Sequence, residues 1–304
     1  MISMLSPSCP LTSSPTTEPD CAKRLILREC LERWRTETQQ GVVDTGRYRC
    51  RYVIWGRGPT LVLIPGPAMD AHAFVMLMPR LQAHFRCVSF SLPNGTDDGA
   101  HLMTYRHADL VADLFALLDH LSIRQCFLMG TSFGASLALA ALHAQPARFS
   151  HSILQGGFTR FPLTRAELLA ASFARFLPGR LGHLPFTRQI LEYGQRDWFQ
   201  VREPEVLDFF IQHHLRTPVR ALATWMLMLH KLDLRPILPA IRQPVLMVCG
   251  DHDTLIGKAR DEELKQCLPM AARAEIEKCG HVPQLTHPEV LAEVVRQFLL
   301  PACG

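Results

Sequence analysis

The sequence predicts an α/β protein built around a doubly wound, mostly parallel sheet. Short apolar or β-branched runs, which predict strands, alternate along the chain with longer segments of helical periodicity. That alternation is typical of βαβ units, whose strands lie parallel in one sheet. Over residues 158–238 the alternation stops and only helix signals remain. With 304 residues, 48% of them hydrophobic, the chain is large enough to bury a substantial core.

The predicted elements follow one another from residue 22 onward. A helix over residues 22–38 carries Leu27, Leu31 and Trp34 on one stripe. Further helices are expected over residues 105–121, with amphipathic spacing, and 132–145, apolar all round as a helix buried against a sheet should be. The predicted strands lie in the segments YRCRYVIWG, TLVLIPG, RCVSFSLP, QCFLMG, HSILQG, PVLMVCG and AEIEKC.

The break in the alternation predicts a helical insertion between two strands. Its helix-start signals are the capping-box pattern Thr164-x-x-Glu167, Pro204 at the head of EPEVLDFFIQHHL, and Thr217 with Pro218. About four helices fit this length. We therefore expect a disordered tail over residues 1–20, a core formed by residues 21–157 and 239–304, and a helical cap over residues 158–238.

Composition limits the classes of partner and compartment. The net charge of +4 is mild and no basic run alternates with aromatic residues, so we expect a small-molecule substrate and no nucleic acid. No apolar run is long enough for a membrane span, and the first twenty residues lack the features of a signal peptide. The ten cysteines are scattered without metal-ligand spacing, which predicts a reducing, cytoplasmic setting.

The first chemical motif is Gly130-Thr131-Ser132-Phe133-Gly134. It follows the strand QCFLMG directly and opens the helix of residues 132–145, which is the context that makes G-x-S-x-G a nucleophile elbow. Glycines allow the tight turn, and the helix N-terminus offers N–H groups to a developing negative charge. The pattern predicts a nucleophilic serine at the carboxyl edge of the sheet.

A serine hydroxyl needs a general base, and the base needs an orienting carboxylate. Two later strands end in such groups. The strand PVLMVCG is followed by Asp251 and Asp253, and the strand AEIEKC by Gly280 and His281. The carboxyl ends of parallel strands meet at one sheet edge, so we expect these side chains to approach Ser132.

On the segments LMGTSFGAS, CGDHD and CGHVPQLTHPE, the chain resembles the cap-bearing serine hydrolases of the α/β-hydrolase superfamily over roughly residues 47–300. The resemblance implies that Ser132 is the nucleophile and His281 the general base. It implies that Asp253 orients His281, because the family acid follows a strand-ending glycine as G-x-x-D; Asp251 would be a turn residue. It places the helical cap between strands six and seven, and implies neither a metal nor an organic cofactor.

The loop after the strand TLVLIPG departs from the family pattern. The family usually has His-Gly there and takes an oxyanion donor from the residue after the glycine. Here Pro65 precedes Gly66, and the next residue is Pro67, which has no N–H. Either Ala68 N–H joins Phe133 N–H in the oxyanion hole, or the hole lacks a donor; we favour Ala68. No second glycine follows at nucleotide-binding spacing, which excludes a phosphate loop.

These residues predict a serine hydrolase that cleaves an ester, thioester or related acyl bond of a mostly apolar small molecule through an acyl-enzyme. The apolar content of the cap, including Phe173, Phe176 and Trp225, favours an apolar acyl or aryl group, and its arginines leave room for a carboxylate. The alternative is a catalytically weak or inactive scaffold or binding protein. That alternative draws on the loop's similarity to maspardin-like members of the superfamily.

A histidine doublet raises the question of a metal site. His213 and His214 are adjacent on a predicted helix and therefore point in different directions, and no carboxylate stands three or four residues away. We expect both histidines to be exposed to solvent. His72 is expected either to line the pocket or to be exposed, and the sequence assigns no metal ligand.

Overall fold

The computed structural model describes residues 2–4, 25–199 and 204–303. Within them the chain forms one nine-stranded sheet with the strand order β1-β9-β8-β7-β6-β4-β5-β3-β2. The strands are β1 (Ile2–Met4), β2 (Gln39–Asp44), β3 (Arg49–Trp55), β4 (Thr60–Ile64), β5 (Arg86–Phe90), β6 (Cys126–Thr131), β7 (Phe149–Gln155), β8 (Val245–Gly250) and β9 (Ala272–Ile276). All seven predicted strand segments are present.

The sheet is parallel at its centre and antiparallel at both edges. β5, β4, β6, β7, β8 and β9 pair parallel in that order. β3 pairs antiparallel with β5 and with β2, and β1 pairs antiparallel with β9. The carboxyl ends of the parallel strands therefore lie along one edge, which is where the predicted site residues follow their strands.

Two edge strands were not predicted. The segment QQGVVD of β2 contains Gln and Gly and carries no continuous apolar run, so its strand character comes from pairing with β3 rather than from local pattern. β1 falls within the predicted disordered tail, most of which lies outside the described residues. Ile2–Met4 themselves form a strand whose backbone extends the open edge of the sheet at β9.

Helices cover both faces of the sheet. They are α1 (Leu27–Glu37), α2 (Met78–Leu81), α3 (His107–His120), α4 (Phe133–Ala144), α5 (Arg165–Ala174), α6 (Thr187–Phe199), α7 (Pro204–Arg216), α8 (Val219–Lys231), α9 (Gly257–Cys267), α10 (Pro283–Thr286) and α11 (Pro288–Leu299). One apolar core joins the sheet to α3, α4, α8 and α9. The other joins the opposite face to α1, α2, α7 and α11.

The predicted helical insertion is represented by α5 to α8, which lie between β7 and β8. If β1 is left out and β2 is counted as the first strand, β7 and β8 are the sixth and seventh strands. The capping box that predicted the first of these helices is formed: Glu167 N–H donates to Thr164 Oγ1 at 3.3 Å, and Thr164 N–H donates to Glu167 Oε2 at 2.8 Å. α7 begins at Pro204, and α8 begins just after Pro218.

Candidate active site

Ser132 is the single residue between β6 and α4. Its backbone has φ 53° and ψ −117°, a region that a residue with a side chain adopts only at a cost of about 1–3 kcal/mol. Its N–H donates to Gln155 O at 2.8 Å on the neighbouring strand β7. The strained turn aims a half-buried serine out of the carboxyl edge of the sheet, as a nucleophile elbow does.

The two glycines of the motif let the elbow close. A Cβ at Gly130 would lie 2.2 Å from Gly134 O, and a Cβ at Gly134 would lie 2.3 Å from Ile64 O and 2.7 Å from Pro65 O. Both separations are far below van der Waals contact. The start of α4 can therefore approach β6 and the end of β4 only because these positions lack side chains.

Asp253 and His281 form a hydrogen-bonded pair. His281 Nδ1 lies 2.7 Å from Asp253 Oδ2, and the Asp253 side chain is almost completely buried. The other carboxylate oxygen, Oδ1, accepts the N–H groups of Leu255 and Ile256, each at 3.0 Å. Asp253 is thus fixed at one oxygen by backbone and presents the other to the imidazole.

The surroundings of Asp253 determine its charge and the tautomer of His281. Burial would raise the pKa of Asp253, but the hydrogen bond and charge of His281, with the N–H groups of Ile256 and Leu255, outweigh it and lower that pKa below its ordinary value. Since the carboxylate is ionised at neutral pH, a neutral His281 must donate from Nδ1, which leaves the lone pair on Nε2. In the part of the chain that the structure describes, this buried Nε2 has no hydrogen-bond partner.

Asp251, the other candidate acid, is used differently. Its carboxylate accepts the N–H groups of Lys278 and Cys279, each at 2.9 Å, and its Oδ1 lies 2.7 Å from His252 Nδ1. These bonds tie the loop after β8 to the loop after β9. They leave Asp253 as the aspartate that contacts His281.

Gln155 joins the elbow to the histidine, and the sequence analysis did not identify it. Its backbone oxygen accepts Ser132 N–H, and its side-chain Nε2 donates to His281 O at 2.9 Å. The residue is buried at the carboxyl end of β7. A glutamine that ends the apolar strand HSILQ just before two glycines was the only available signal. Gln155 therefore bonds the backbone of both Ser132 and His281.

The loop of residues 65–70 lies against the elbow. A Cβ at Gly66 would lie 3.8 Å from Ser132 Cβ, so the loop borders the serine. Within the described ranges, no residue accepts a hydrogen bond from Ala68 N–H. Ala68 O accepts the Thr217 hydroxyl at 3.2 Å, which fixes the peptide between Ala68 and Met69. Phe133 is the first residue of α4, and the first N–H groups of a helix have no intrahelical acceptor.

The helical insertion contacts the loops of the carboxyl edge at several points. Thr217 holds Ala68 O, and the Arg220 guanidinium donates to Gly95 O in the loop after β5. Trp198 of α6 packs on Gly280, the residue before His281, so closely that a Cβ there would lie 2.7 Å from Trp198 Cγ. α6 and the segment between α7 and α8 thus lie against loops that carry candidate site residues, and α8 lies against the loop after β5.

A cleft of about 450 Å³ adjoins the 65–70 loop and combines apolar and cationic walls. Its lining includes Pro67, Ala68, Met69, Leu92, Trp225, Arg49, Arg51 and Arg216. The cap residues expected to supply apolar surface divide into two groups. Trp225 is buried in this wall, whereas Phe173 and Phe176 are 68% and 69% exposed and project from the insertion into solvent.

The histidine doublet is not exposed as expected. His213 and His214 are both half-buried. Their Nδ1 atoms bond the carbonyl oxygens of Phe209 and Phe210, and their rings pack on those same phenylalanines. Burial lowers the pKa of His214 to about 4. His72 lines the cleft beside the 65–70 loop and also a second cleft beside α1 and α7. With Asp70 and His213 it forms a cluster that the sequence did not suggest.

The described residues contain neither a disulfide nor a helix suited to spanning a membrane. The eight cysteines in the described ranges are all free thiols. Among the same residues, no helix combines the length and the apolar character that crossing a bilayer would require.

Comparison with known proteins identifies relatives along most of the chain. The chain is 26% identical over 257 residues to the pimeloyl-(acyl-carrier protein) methyl ester esterase of Aeromonas hydrophila, covering 81% of this chain and 97% of that protein. It is 24% identical over 280 residues to the magnesium-chelatase 30 kDa subunit of Rhodobacter capsulatus, covering 85% and 90%. Among solved structures, a thermophilic esterase from Thermogutta terrifontis superposes with a TM-score of 0.75 at 21% identity, covering 88% of this chain and all of that one.

A second solved structure gives the same fold. The enol-lactonase from Burkholderia xenovorans superposes with a TM-score of 0.75 at 22% identity, covering 86% of this chain and 100% of that one. At such identities the likeness concerns the fold. The model of the alpha/beta hydrolase family matches residues 61–294, from β4 into α11 and well over half of the sequence. The chain therefore belongs to the alpha/beta hydrolase family.

Proposed function

We propose that the protein is a serine hydrolase that cleaves an ester, thioester or related acyl bond of a mostly apolar small molecule. Two observations carry the proposal. Ser132 stands in a strained elbow, and Gln155, which accepts its N–H, also bonds the backbone of a His281 whose Nδ1 contacts a buried carboxylate and whose Nε2 has no partner among the described residues. A neutral imidazole with a lone pair on Nε2 is the base that a serine nucleophile needs. The curated relatives named as methyl ester esterases favour an ester among the acyl bonds.

The reaction follows from these groups in two halves. Ser132 Oγ attacks the carbonyl carbon while its proton passes to His281 Nε2, and the leaving alcohol or thiol takes that proton as the tetrahedral intermediate collapses. Water then attacks the acyl-enzyme, giving its proton to His281, and Ser132 recovers a proton as the acid departs. Asp253 stays ionised throughout and stabilises the imidazolium.

The oxyanion hole combines Phe133 N–H with Ala68 N–H. The first lies at the N-terminus of α4, and the second is unengaged by described residues in a loop that borders Ser132. Losing one such donor costs about 3 kcal/mol of transition-state stabilisation, or at least roughly a hundredfold in rate. Pro67→Gly tests this assignment: activity should change little, whereas a large gain would mean that the proline had been blocking the donor position.

The cleft beside the 65–70 loop suggests the substrate class, although its lining includes Ala68 but neither Ser132 nor His281. Its volume of about 450 Å³ lies in the range of small-molecule pockets. Trp225 and Met69 offer an apolar wall, while Arg49, Arg51 and Arg216 offer cations that a distal carboxylate or phosphate could bind. α5 to α8 act as the cap that closes over the bound acyl chain. A panel of p-nitrophenyl esters of graded acyl length should therefore show a maximum rather than a flat profile.

Labelling by a fluorophosphonate probe tests the nucleophile. The wild-type protein should be labelled, Ser132→Ala should lose labelling completely, and His281→Ala should be labelled much more slowly because Ser132 then has no base. Ser172→Ala is the matched control: this hydroxyl donates to Leu168 O within α5 and should leave labelling unchanged.

A scaffold or binding role is the second candidate, and Pro67 favours it. A hole with one donor fewer is what a member that has lost catalysis would show. If the folded wild-type protein resists the probe and hydrolyses none of the panel esters, the hydrolase proposal is wrong and the scaffold role takes its place.

A further inference from the structure

Asp70, His72 and His213 meet on the surface of the protein outside the proposed catalytic groups. One candidate ligand atom from each, a carboxylate oxygen and two ring nitrogens, lie within 4.8 Å of one another. Asp70 and His72 belong to the 65–70 loop and the 3₁₀ turn that follows it, and His213 lies in the last turns of α7. Two histidines and one carboxylate, drawn from two segments of the chain, form a donor set that Zn²⁺ and related ions prefer.

The surrounding contacts hold these donors in place. His213 Nδ1 lies 2.9 Å from Phe209 O, so it donates there and leaves the lone pair on Nε2. Metal-binding histidines commonly show this arrangement, in which the second ring nitrogen is fixed by a carbonyl. The His213 ring also packs on Phe209 at 4.2 Å between ring centres, and the His72 ring packs on Trp34 at 4.9 Å. Both rings have thus already lost much of their rotational freedom.

Asp70 and His72 already have nearly the spacing of two ligands on one ion. His72 Nδ1 lies 2.9 Å from Asp70 Oδ1, which also accepts His72 N–H at 2.8 Å. A cation between the ring nitrogen and the carboxylate would replace the proton that now joins them. The other oxygen, Asp70 Oδ2, accepts no hydrogen bond from any residue that the structure describes.

The cluster is accessible to an ion from solution. The side chains of His72 and Asp70 are 37% and 45% exposed, and all three residues line one open cleft beside α1 and α7. Three protein ligands leave at least one position for water, as in Zn²⁺ sites that are not purely structural.

We propose that Asp70, His72 and His213 bind a divalent transition-metal ion of the Zn²⁺ class, which joins α7 of the helical insertion to the loop that carries Ala68. Thr217 lies one turn after His213 in the same region, and its single hydroxyl proton is shared between Ala68 O at 3.2 Å and His213 O at 3.4 Å. A bound ion would therefore fix the insertion against the 65–70 loop at a second point. This inference does not rest on the proposed hydrolysis, since binding is measured without substrate.

The test is a titration of the full chain with Co²⁺ and Zn²⁺ after dialysis against EDTA. Visible absorption of Co²⁺ and calorimetry with Zn²⁺ should show one saturable site per chain, and Mg²⁺, which prefers oxygen ligands, should not compete. His213→Gln and Asp70→Asn should each weaken binding at least about tenfold, since even residues behind the ligands are worth that much. Asp70→Asn keeps an oxygen for His72 N–H, so it separates ligation from folding.

The matched control is His214→Gln. His214 stands next to His213, bonds the carbonyl four residues earlier in the same way, and lies outside the cluster. The His214→Gln variant should bind Co²⁺ with wild-type affinity. Zn²⁺ should raise the thermal unfolding midpoint of the wild type and of His214→Gln, but not that of His213→Gln. Equal affinity in His213→Gln and the wild type would place the ion on other histidines, and no saturable binding to the wild type would also overturn the proposal.

Discussion

Gly156 offers a way to displace His281 without changing any of the three proposed catalytic side chains. It follows β7 directly and has φ +59°, a conformation that favours glycine. A Cβ at this position would lie 2.8 Å from His281 Cε1 and 3.2 Å from His281 Nδ1, against an ordinary contact of at least about 3.4 Å. In Gly156→Ala, either the imidazole or the end of β7 must therefore move by roughly 0.6 Å.

The two consequences of Gly156→Ala have different sizes. An L-residue in the left-handed region costs about 1–2 kcal/mol of folding free energy, which is a drop of a few degrees in Tm for a chain of this length. The displacement acts on kcat instead, because misplacing a catalytic group by about 1 Å costs on the order of a hundredfold. We expect kcat to fall roughly tenfold to a hundredfold, with a modest loss of stability.

Gly99→Ala supplies the matched control for that prediction. Gly99 has φ +78°, and no atom lies within 4 Å of where its Cβ would be, so the alanine carries the same backbone strain without a collision. Both variants should lose similar stability in thermal unfolding, but only Gly156→Ala should lose activity on a p-nitrophenyl ester. Wild-type kcat in Gly156→Ala, or an equal loss of activity in Gly99→Ala, would refute the reasoning.

The remaining predictions concern one hydroxyl and one buried imidazole. Thr217→Val removes the bond to Ala68 O and should lower kcat roughly two- to tenfold, the equivalent of a hydrogen bond of about 0.5–1.5 kcal/mol, whereas Thr224→Val, whose hydroxyl donates to Arg220 O within α8, should not. Burial lowers the pKa of His107 to about 4, so between pH 6.5 and 4 the unfolded chain binds a proton that the folded chain does not. The free energy of unfolding should therefore fall as pH falls, by up to about 2 kcal/mol at pH 5. Measured by urea unfolding at several pH values, the free energy of unfolding of His107→Gln should depend less steeply on pH than that of the wild type. An equal pH dependence in the two proteins would show that His107 titrates like an ordinary surface histidine.

The fold and the elbow could be predicted because their signals are local. Strand, glycine-flanked serine and helix follow one another without interruption around Ser132, and the turn is required by the short connection itself. Asp253 and His281 come from distant segments. They could be proposed because a parallel sheet brings the carboxyl ends of its strands to one edge, so that position relative to a strand carries spatial information. Asp251 and Asp253 differ by two residues, and the resemblance to the family was needed to choose between them.

The residues that the sequence analysis missed depend on tertiary packing. Gln155 joins Ser132 to His281 because its strand lies beside β6 and beneath the loop after β9, a relation that no local pattern records. The exposure of His213 was mispredicted for a similar reason. On an isolated helix it is one polar residue among several, but Asp70 and His72 face it from a loop more than 140 residues earlier in the chain.

The 65–70 loop is held in part by the helical insertion. Pro67 removes the N–H that the family pattern would use, so the geometry of the proposed oxyanion hole depends on how firmly the peptide groups around Ala68 are held. The Thr217 hydroxyl fixes one of those peptides, and the proposed ion would hold the residues just after it. The helical insertion contributes to this hold, so we expect changes in α7 to alter the rate of the proposed ester cleavage, although α7 supplies none of the three proposed catalytic side chains.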